Sequence, residues 1–328
     1  MTITKNTKVK EVFNSPVFES VKDQIMTAAD FLSENGELTF EELERKYPTW
    51  YHDDMIYGLN RLQDAITSGN EYVFSVYSEA EIKNNPRLSS VKLIYLPTAK
   101  ENSGSYAILM AGGAYHCVCP MVEAFPVAAR LNELGVSCFS LTYRVAPFDS
   151  DITGLLPQPM DDLAAAWKFI NRNAGKFNVK SDEYIAGGFS AGGHLVSQWG
   201  TKHNGARKYG IPQAKMLMLL YPLISMEYVT EPPDIMCKKI YGEGYTLADM
   251  RNYDATHHLD DEFPKVFLTS CMDDGIITPN HLKAFIDKLQ SSKTRCAVEL
   301  KPTGGHGFGL GSKTDASGWV ERAMEFLF

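Results

Sequence analysis

The spacing of apolar and polar positions divides the chain near residue 71. Residues 1–70 are charge-rich and carry no convincing strand pattern. Tyr57, Leu59, Leu62 and Ile66 recur there at roughly helical spacing. Thr39-Phe40-Glu41-Glu42 has the form of a capping box, in which the hydroxyl satisfies an orphan amide and Glu42 reaches back to Thr39. The helix it opens should end before Pro48. Beyond residue 71, short apolar and β-branched runs alternate with amphipathic stretches. The runs Tyr72–Tyr77, Val91–Leu96, Tyr106–Met110, Val136–Leu141, Tyr184–Phe189, Met216–Leu220, Val266–Ser270 and Cys296–Leu300 predict strands. Between and after them, Met121–Leu134, Met160–Arg172, Gly192–Lys202, Pro279–Gln290 and Ala316–Leu327 predict helices. Such alternation implies an α/β fold: a mostly parallel sheet of about eight strands with helices on both faces. The stretch 223–263, with Pro232-Pro233, aromatics and charges, breaks the rhythm and reads as a cap-like insertion near one sheet end. Two parts follow: a helical segment over 1–70 and a catalytic domain over 71–328.

Composition narrows the function. The 328 residues are 44% hydrophobic and 22% charged, which excludes a largely disordered chain. The net charge of −8 argues against a nucleic-acid partner, which would call for a basic stripe. No apolar stretch is long enough for a membrane span; Met216–Ile224 is the longest and contains Pro222. The polar start, Met1–Lys10, lacks a signal-peptide pattern, so a cytoplasmic location is expected. Six cysteines without CxxC spacing read as reduced thiols; Cys117 and Cys119 suit neither a redox pair nor a zinc knuckle.

The strongest chemical signal is Gly188-Phe189-Ser190-Ala191-Gly192-Gly193, between a predicted strand and a predicted helix. A serine hydroxyl becomes a useful nucleophile only when exposed and held beside a base. A sharp strand-to-helix turn exposes it, and small neighbours let strand and helix approach. The base should follow later in the chain. His306, within Gly304-Gly305-His306-Gly307-Phe308-Gly309, hangs on a loop after the last predicted strand and has no apolar helix face to occupy. His194, four residues past Ser190, should face packing instead. His257-His258 suggests a metal pair, but adjacent side chains point apart and no acidic array flanks them, so neither metal nor cofactor is expected. The orienting acid should end the preceding strand, where Asp273 and Asp274 adjoin. Both cannot face one imidazole. The spacing to Ile276, Ile277 and Pro279 favours Asp274, leaving Asp273 as an N-cap or surface charge. The order Ser190, Asp274, His306 is the α/β-hydrolase order. A tetrahedral oxyanion needs backbone donors. Ala191 should supply one, and the turn Met110-Ala111-Gly112-Gly113-Ala114-Tyr115 the other.

With these motifs, residues 90–328 resemble the α/β-hydrolase esterases related to hormone-sensitive lipase and bacterial acetyl-xylan esterases. Tyr143-Arg144-Val145-Ala146-Pro147 is similar to that family's D-Y-R-x-A-P run, with Thr142 in the Asp place. Pro157 and the helix start Asp161-Asp162-Leu163-Ala164-Ala165-Ala166-Trp167 also match; Arg144 and Asp162 read as a structural ion pair. The resemblance implies that Gly113 and Ala114 donate to the oxyanion. The family's H-G-G-G run is here Ala111-Gly112-Gly113-Ala114, which removes a histidine brace. Ala114 is expected to serve from an ordinary backbone conformation, because positive φ suits glycine. The expectation is a serine esterase for short acyl groups, with acetyl esters of sugars as candidate small-molecule substrates and Tyr115 as a pocket wall. The alternatives are an exopeptidase or amidase on the same fold, and a silent ligand-binding homologue. The segment 1–70 reads as either a cap or a homo-oligomerisation surface.

Overall fold

The computed structural model describes residues 1–69, 71–101, 104–229 and 232–327. Eight strands form one sheet: β1 Val73–Ser75, β2 Lys92–Leu96, β3 Tyr106–Met110, β4 Ser137–Thr142, β5 Tyr184–Phe189, β6 Met216–Leu220, β7 Lys265–Cys271 and β8 Cys296–Lys301. Their spatial order is β1-β2-β4-β3-β5-β6-β7-β8. Only β2 runs against its neighbours; every pair from β4 to β8 is parallel. Parallel strands need crossovers, and those crossovers cover both faces with helices. Every residue of β3, β4, β5 and β6 is buried, which explains their uninterrupted apolar or small-residue runs. The edge strand β8 is half-exposed and alternates Val298 with Glu299. This is an α/β-hydrolase fold. The predicted strands all occur, and the five long predicted helices appear as Ala124–Glu133, Gln158–Arg172, Ala191–Trp199, Pro279–Ser291 and Trp319–Leu327.

The N-terminal part consists of helices Val9–Phe13, Lys22–Ile25, Phe31–Asn35, Phe40–Lys46 and His52–Thr67. Its capping box forms: Glu42 N donates to Thr39 Oγ1 at 3.2 Å, and Thr39 N to Glu42 Oε2 at 2.8 Å. The helix stops at Tyr47, ahead of Pro48. Met55, Leu59 and Leu62 bury one face of His52–Thr67 against Ala124–Glu133. Met121 N donates to Ile25 O at 3.0 Å and Thr27 N to Val118 O at 3.0 Å. These bonds tie the segment to the loop after β3.

The stretch 223–263 folds into short helices, Asp234–Tyr241, Leu247–Asn252 and Ala255–His258. Backbone bonds from Gly154, Leu155 and Leu156 to Lys238, Lys239 and Ile240 fasten it to the loop after β4. Tyr253 O meets His194 Nε2 at 2.6 Å. The insertion therefore lies beside helix Ala191–Trp199, and none of its described residues lines the cavity at Ser190.

Candidate active site

Ser190 sits between the carboxyl end of β5 and the first turn of Ala191–Trp199, with φ 52° and ψ −117°. Such a conformation is costly for a side-chain-bearing residue and persists only when its surroundings enforce it. They do. Ser190 N donates to Leu220 O at 3.1 Å, and Leu223 N donates to Ser190 O at 3.0 Å. Close packing completes the turn: a Cβ on Gly192 would lie 2.0 Å from Met110 O. Helix and β3 touch there, and only glycine fits.

His306 stands opposite on the loop after β8. Its Nε2 lies 2.9 Å from Ser190 Oγ and its Nδ1 2.8 Å from Asp274 Oδ2. Asp274 is 3% exposed, and its other oxygen, Oδ1, accepts the N–H groups of Ile276 at 2.9 Å and Ile277 at 2.8 Å. The carboxylate is thus oriented by its own turn, with one oxygen left for the imidazole. Asp273 faces the other way and accepts from Gly304 N at 3.2 Å and Gly305 N at 2.8 Å. It anchors the loop that carries His306. The two adjacent carboxylates have separate tasks: one orients the ring, the other holds the backbone beneath it.

His194, His281 and His257 are absorbed elsewhere. His194 is buried between Tyr115 Oη, 2.7 Å from Nδ1, and Tyr253 O, and burial pushes its pKa down to about 4. His281 is likewise lowered to about 4 by burial, and its Nε2 accepts from Ile224 N at 2.8 Å. Both are neutral packing groups near neutral pH. His257 does meet carboxylates that its sequence surroundings hid: Glu227 Oε2 at 3.4 Å and Asp254 Oδ2 at 3.5 Å. Arg251 also bonds Glu227, from Nε to Oε2 at 2.9 Å and from Nη2 to Oε1 at 2.6 Å. None of these groups lines the cavity that holds Ser190.

The loop after β3 departs from expectation. Ala114 has φ 55° and Tyr115 φ 59°, so Ala114 does not serve from an ordinary conformation. Two consecutive left-handed residues turn the chain sharply, and long-range bonds hold it there. Tyr143 Oη donates to Ala111 O at 2.7 Å, and Ala146 N donates to Tyr115 O at 2.8 Å. Both donors come from the Tyr143–Pro147 run. Next to it, Arg144 grips the buried Asp162 through Nε at 2.9 Å and through its backbone N at 2.8 Å, a structural pair as expected. The N–H groups of Gly113 and Ala114 have no acceptor among the described residues. Tyr115 is a second correction. Its side chain is 1% exposed and directed to His194, and it does not line the cavity. The left-handed turn carries Tyr115 inward and brings His116 to the wall instead.

The cavity at Ser190 holds about 440 Å³. Gly112, Gly113, Ala114 and His306 line it, with His116 and Phe148 stacked at 4.3 Å. Lys46, Tyr47, Pro48, Thr49 and Trp50 form the wall supplied by the N-terminal segment. Sequence reading missed Trp50, His116, Glu123 and Tyr221 at this site. Glu123 was detectable as a lone acid in the apolar run Met121–Ala124, and Tyr221 as the first residue past β6.

The chain is similar to several known hydrolases. The family model described as BD-FAE matches residues 93–230. Endo-1,4-beta-xylanase B of Butyrivibrio fibrisolvens is 25% identical over 229 residues, covering 66% of this chain and 35% of that protein. Acetylxylan esterase of Xylanibacter ruminicola is 26% identical over 220 residues, covering 65% of this chain and 43% of that protein. The match thus spans less than half of either relative. Among solved structures, an acetyl ester-xyloside bifunctional hydrolase from Caldicellulosiruptor lactoaceticus superposes with a TM-score of 0.64 at 24% identity, over 77% of this chain and 94% of that one. A carboxylesterase from Lactobacillus plantarum WCFS1 gives 0.61 at 20% identity, over 72% and 91%. At these identities the structural likeness speaks for the fold.

Proposed function

We propose, from the premise that this chain is an α/β-hydrolase enzyme related to acetyl-xylan-esterase-like hydrolases, that it is a serine esterase acting on short acyl groups, acetyl esters of carbohydrates first among them. The observation that carries the reading is the unbroken hydrogen-bond chain from Asp274 through His306 to Ser190 Oγ at the cavity wall. In this reading Ser190 Oγ attacks the ester carbonyl while His306 Nε2 takes its proton. Asp274 holds the ring in the tautomer that presents Nε2 as the acceptor and stabilises the imidazolium. The amides of Ala191, Gly113 and Ala114 receive the oxyanion, and the positive end of helix Ala191–Trp199 favours the same charge. His306 then protonates the leaving alcohol. Water, deprotonated by the same ring, releases the acid.

The substrate class draws on the relatives and on the cavity. An acetylxylan esterase aligns with two-thirds of the chain. Acyl and alcohol halves must share about 440 Å³, near the lower end for ligand sites. The aromatic rings of Trp50 and Phe148 offer flat apolar faces to a sugar ring. With Lys46–Trp50 forming one wall, the N-terminal segment acts as the cap in this proposal.

A screen of p-nitrophenyl esters beside acetylated xylosides and aminoacyl amides tests it. kcat/KM is expected to fall at least about tenfold from acetyl to octanoyl. An added methylene that fits an apolar pocket raises kcat/KM, by about 1–3 kcal/mol, so a fall along the series needs steric exclusion. A flat or rising profile refutes the short-acyl reading, and faster turnover of aminoacyl amides makes the enzyme an amidase. Activity is also expected to survive exhaustive EDTA dialysis unchanged, because every proposed step uses a side chain or a backbone amide. A loss restored by Zn²⁺ would redirect attention to Glu227, Asp254 and His257.

A further inference from the structure

Glu123 is a buried carboxylate at the reacting centre that the Ser190–His306–Asp274 chain leaves unused. It is 4% exposed, precedes helix Ala124–Glu133 and belongs to the wall of the cavity. Its Oε2 accepts the N–H of Gly112, and its Oε1 accepts the hydroxyl of Tyr221 at 3.0 Å. That hydroxyl in turn accepts the N–H of Gly309 at 3.0 Å. The edge of the Tyr221 ring meets the His306 ring, with centroids 4.9 Å apart. Glu123 and Tyr221 together therefore link the loop leading into Gly113 and Ala114 with the loop that carries His306. The fit is close: a methyl on Gly112 would lie 2.7 Å from Ser190 Cβ and 3.3 Å from Glu123 Oε2.

We infer that Glu123 is a positioning residue for ester hydrolysis, whose carboxylate locks the oxyanion loop and the histidine loop into one register by accepting the Gly112 N–H directly and the Tyr221 hydroxyl that in turn accepts the Gly309 N–H. The inference rests on the serine-esterase reading above. An ionised carboxylate is the one common side chain that only accepts, so it can take both donors at once. Ala111 stands where the resembling family carries a bracing histidine, and Glu123 supplies a brace one residue on. Precision matters here because oxyanion donors act only within about 2.7–3.1 Å of the developing charge.

Burial sets a cost. The titratable groups that interact with Glu123 are His306, Tyr221, Tyr143, Cys117 and Cys119, and none of them is a lysine or arginine. Burial pushes its carboxyl up to about 7, against the lowering effect of the Gly112 and Tyr221 bonds. The folded chain thus holds a proton here below about pH 7 that the unfolded chain releases near 4.5. Between those values stability declines as pH rises, and above about 7 the full cost of the buried charge is present. The proposed activity has the opposite dependence, since only the ionised form accepts both donors. A residue retained for packing alone would not show this opposition.

The test is Glu123→Gln, assayed on p-nitrophenyl acetate beside Tyr221→Phe and Ser190→Ala. Glu123→Gln keeps the shape but sets an amide donor against a donor. kcat is expected to fall at least about tenfold with KM within about threefold. The melting temperature at pH 8 should equal or exceed that of the unaltered protein. As pH falls through about 7, kcat/KM should drop by an additional factor of about ten in the unaltered protein, a component that is absent in Glu123→Gln. Tyr221→Phe, which keeps the ring and removes the relay hydroxyl, should cost about 3–10-fold in kcat and stands in if Glu123→Gln does not fold. Unchanged kcat in both variants overturns the inference. So does a loss of kcat that tracks a lowered melting temperature and a raised KM, since that is the mark of a packing role. Retained activity in Ser190→Ala is a different failure, because it removes the esterase reading beneath the inference.

Discussion

Ser190→Ala is expected to lower kcat for acetyl esters by about 10⁶, the scale of nucleophile removal in serine hydrolases that act through a base and an oxyanion site. The methyl of Ala fits where the Ser190 Cβ already lies. The turn is held by backbone bonds to Leu220 O and from Leu223 N, which the substitution does not touch. The variant should therefore fold and keep its affinity for a non-hydrolysed product such as a deacetylated xyloside. Its stability should change little, since the partner left behind is only the Nε2 face of His306, which lines the cavity. Steady-state kinetics with a burst-phase measurement of acyl-enzyme decides the matter. If more than a few per cent of kcat remains with KM unchanged, the nucleophile is another group.

Asp274→Asn should cost about 10⁴ in kcat, because an amide that donates to Nδ1 selects the tautomer with Nε2 protonated, and Nε2 can then no longer take the Ser190 proton. Its neighbour separates cleanly. Asp273→Asn keeps an oxygen for one of the two N–H groups of Gly304 and Gly305, so the histidine loop loosens without losing its chemistry. A loss of no more than about tenfold is expected there, with KM and kcat both affected. The reverse ranking of the two variants would reassign the acid and break the proposed chain from Asp274 to Ser190.

Much of this architecture was legible because it is local or periodic. The strand runs read true because buried parallel strands must be apolar along their whole length, as in Met216–Leu220. The capping box at Thr39 closes within four residues and needs no partner from elsewhere. Ser190, Asp274 and His306 were readable because each sits where a strand ends. Strand ends in a parallel sheet converge on one edge. Boundaries moved where packing overrode pattern: Tyr72–Tyr77 shrank to Val73–Ser75, a short edge strand with a single antiparallel partner.

The misses are all cases of distant contacts. Ala114 takes positive φ against its own preference, since Tyr143 and Ala146 hold the turn from another loop. Once that turn is made, Tyr115 points into the core and His116 into the cavity, a reversal that no local pattern carries. Trp50 reaches the site only because helix His52–Thr67 docks on Ala124–Glu133. Glu123 and Tyr221 are 98 residues apart yet share a bond beside Gly112. The sequence by itself therefore determined on which strand ends Ser190, the Asp273-Asp274 pair and His306 ride, because that depends on periodicity and on turn chemistry within a few residues. The tertiary structure pairs His306 with Asp274, the aspartate that the spacing favours, and it alone decided which residues wall the cavity and how a buried carboxylate joins two loops through Tyr221. Those outcomes follow from side-chain packing across long sequence separations, where the energy of one contact is set by all its neighbours.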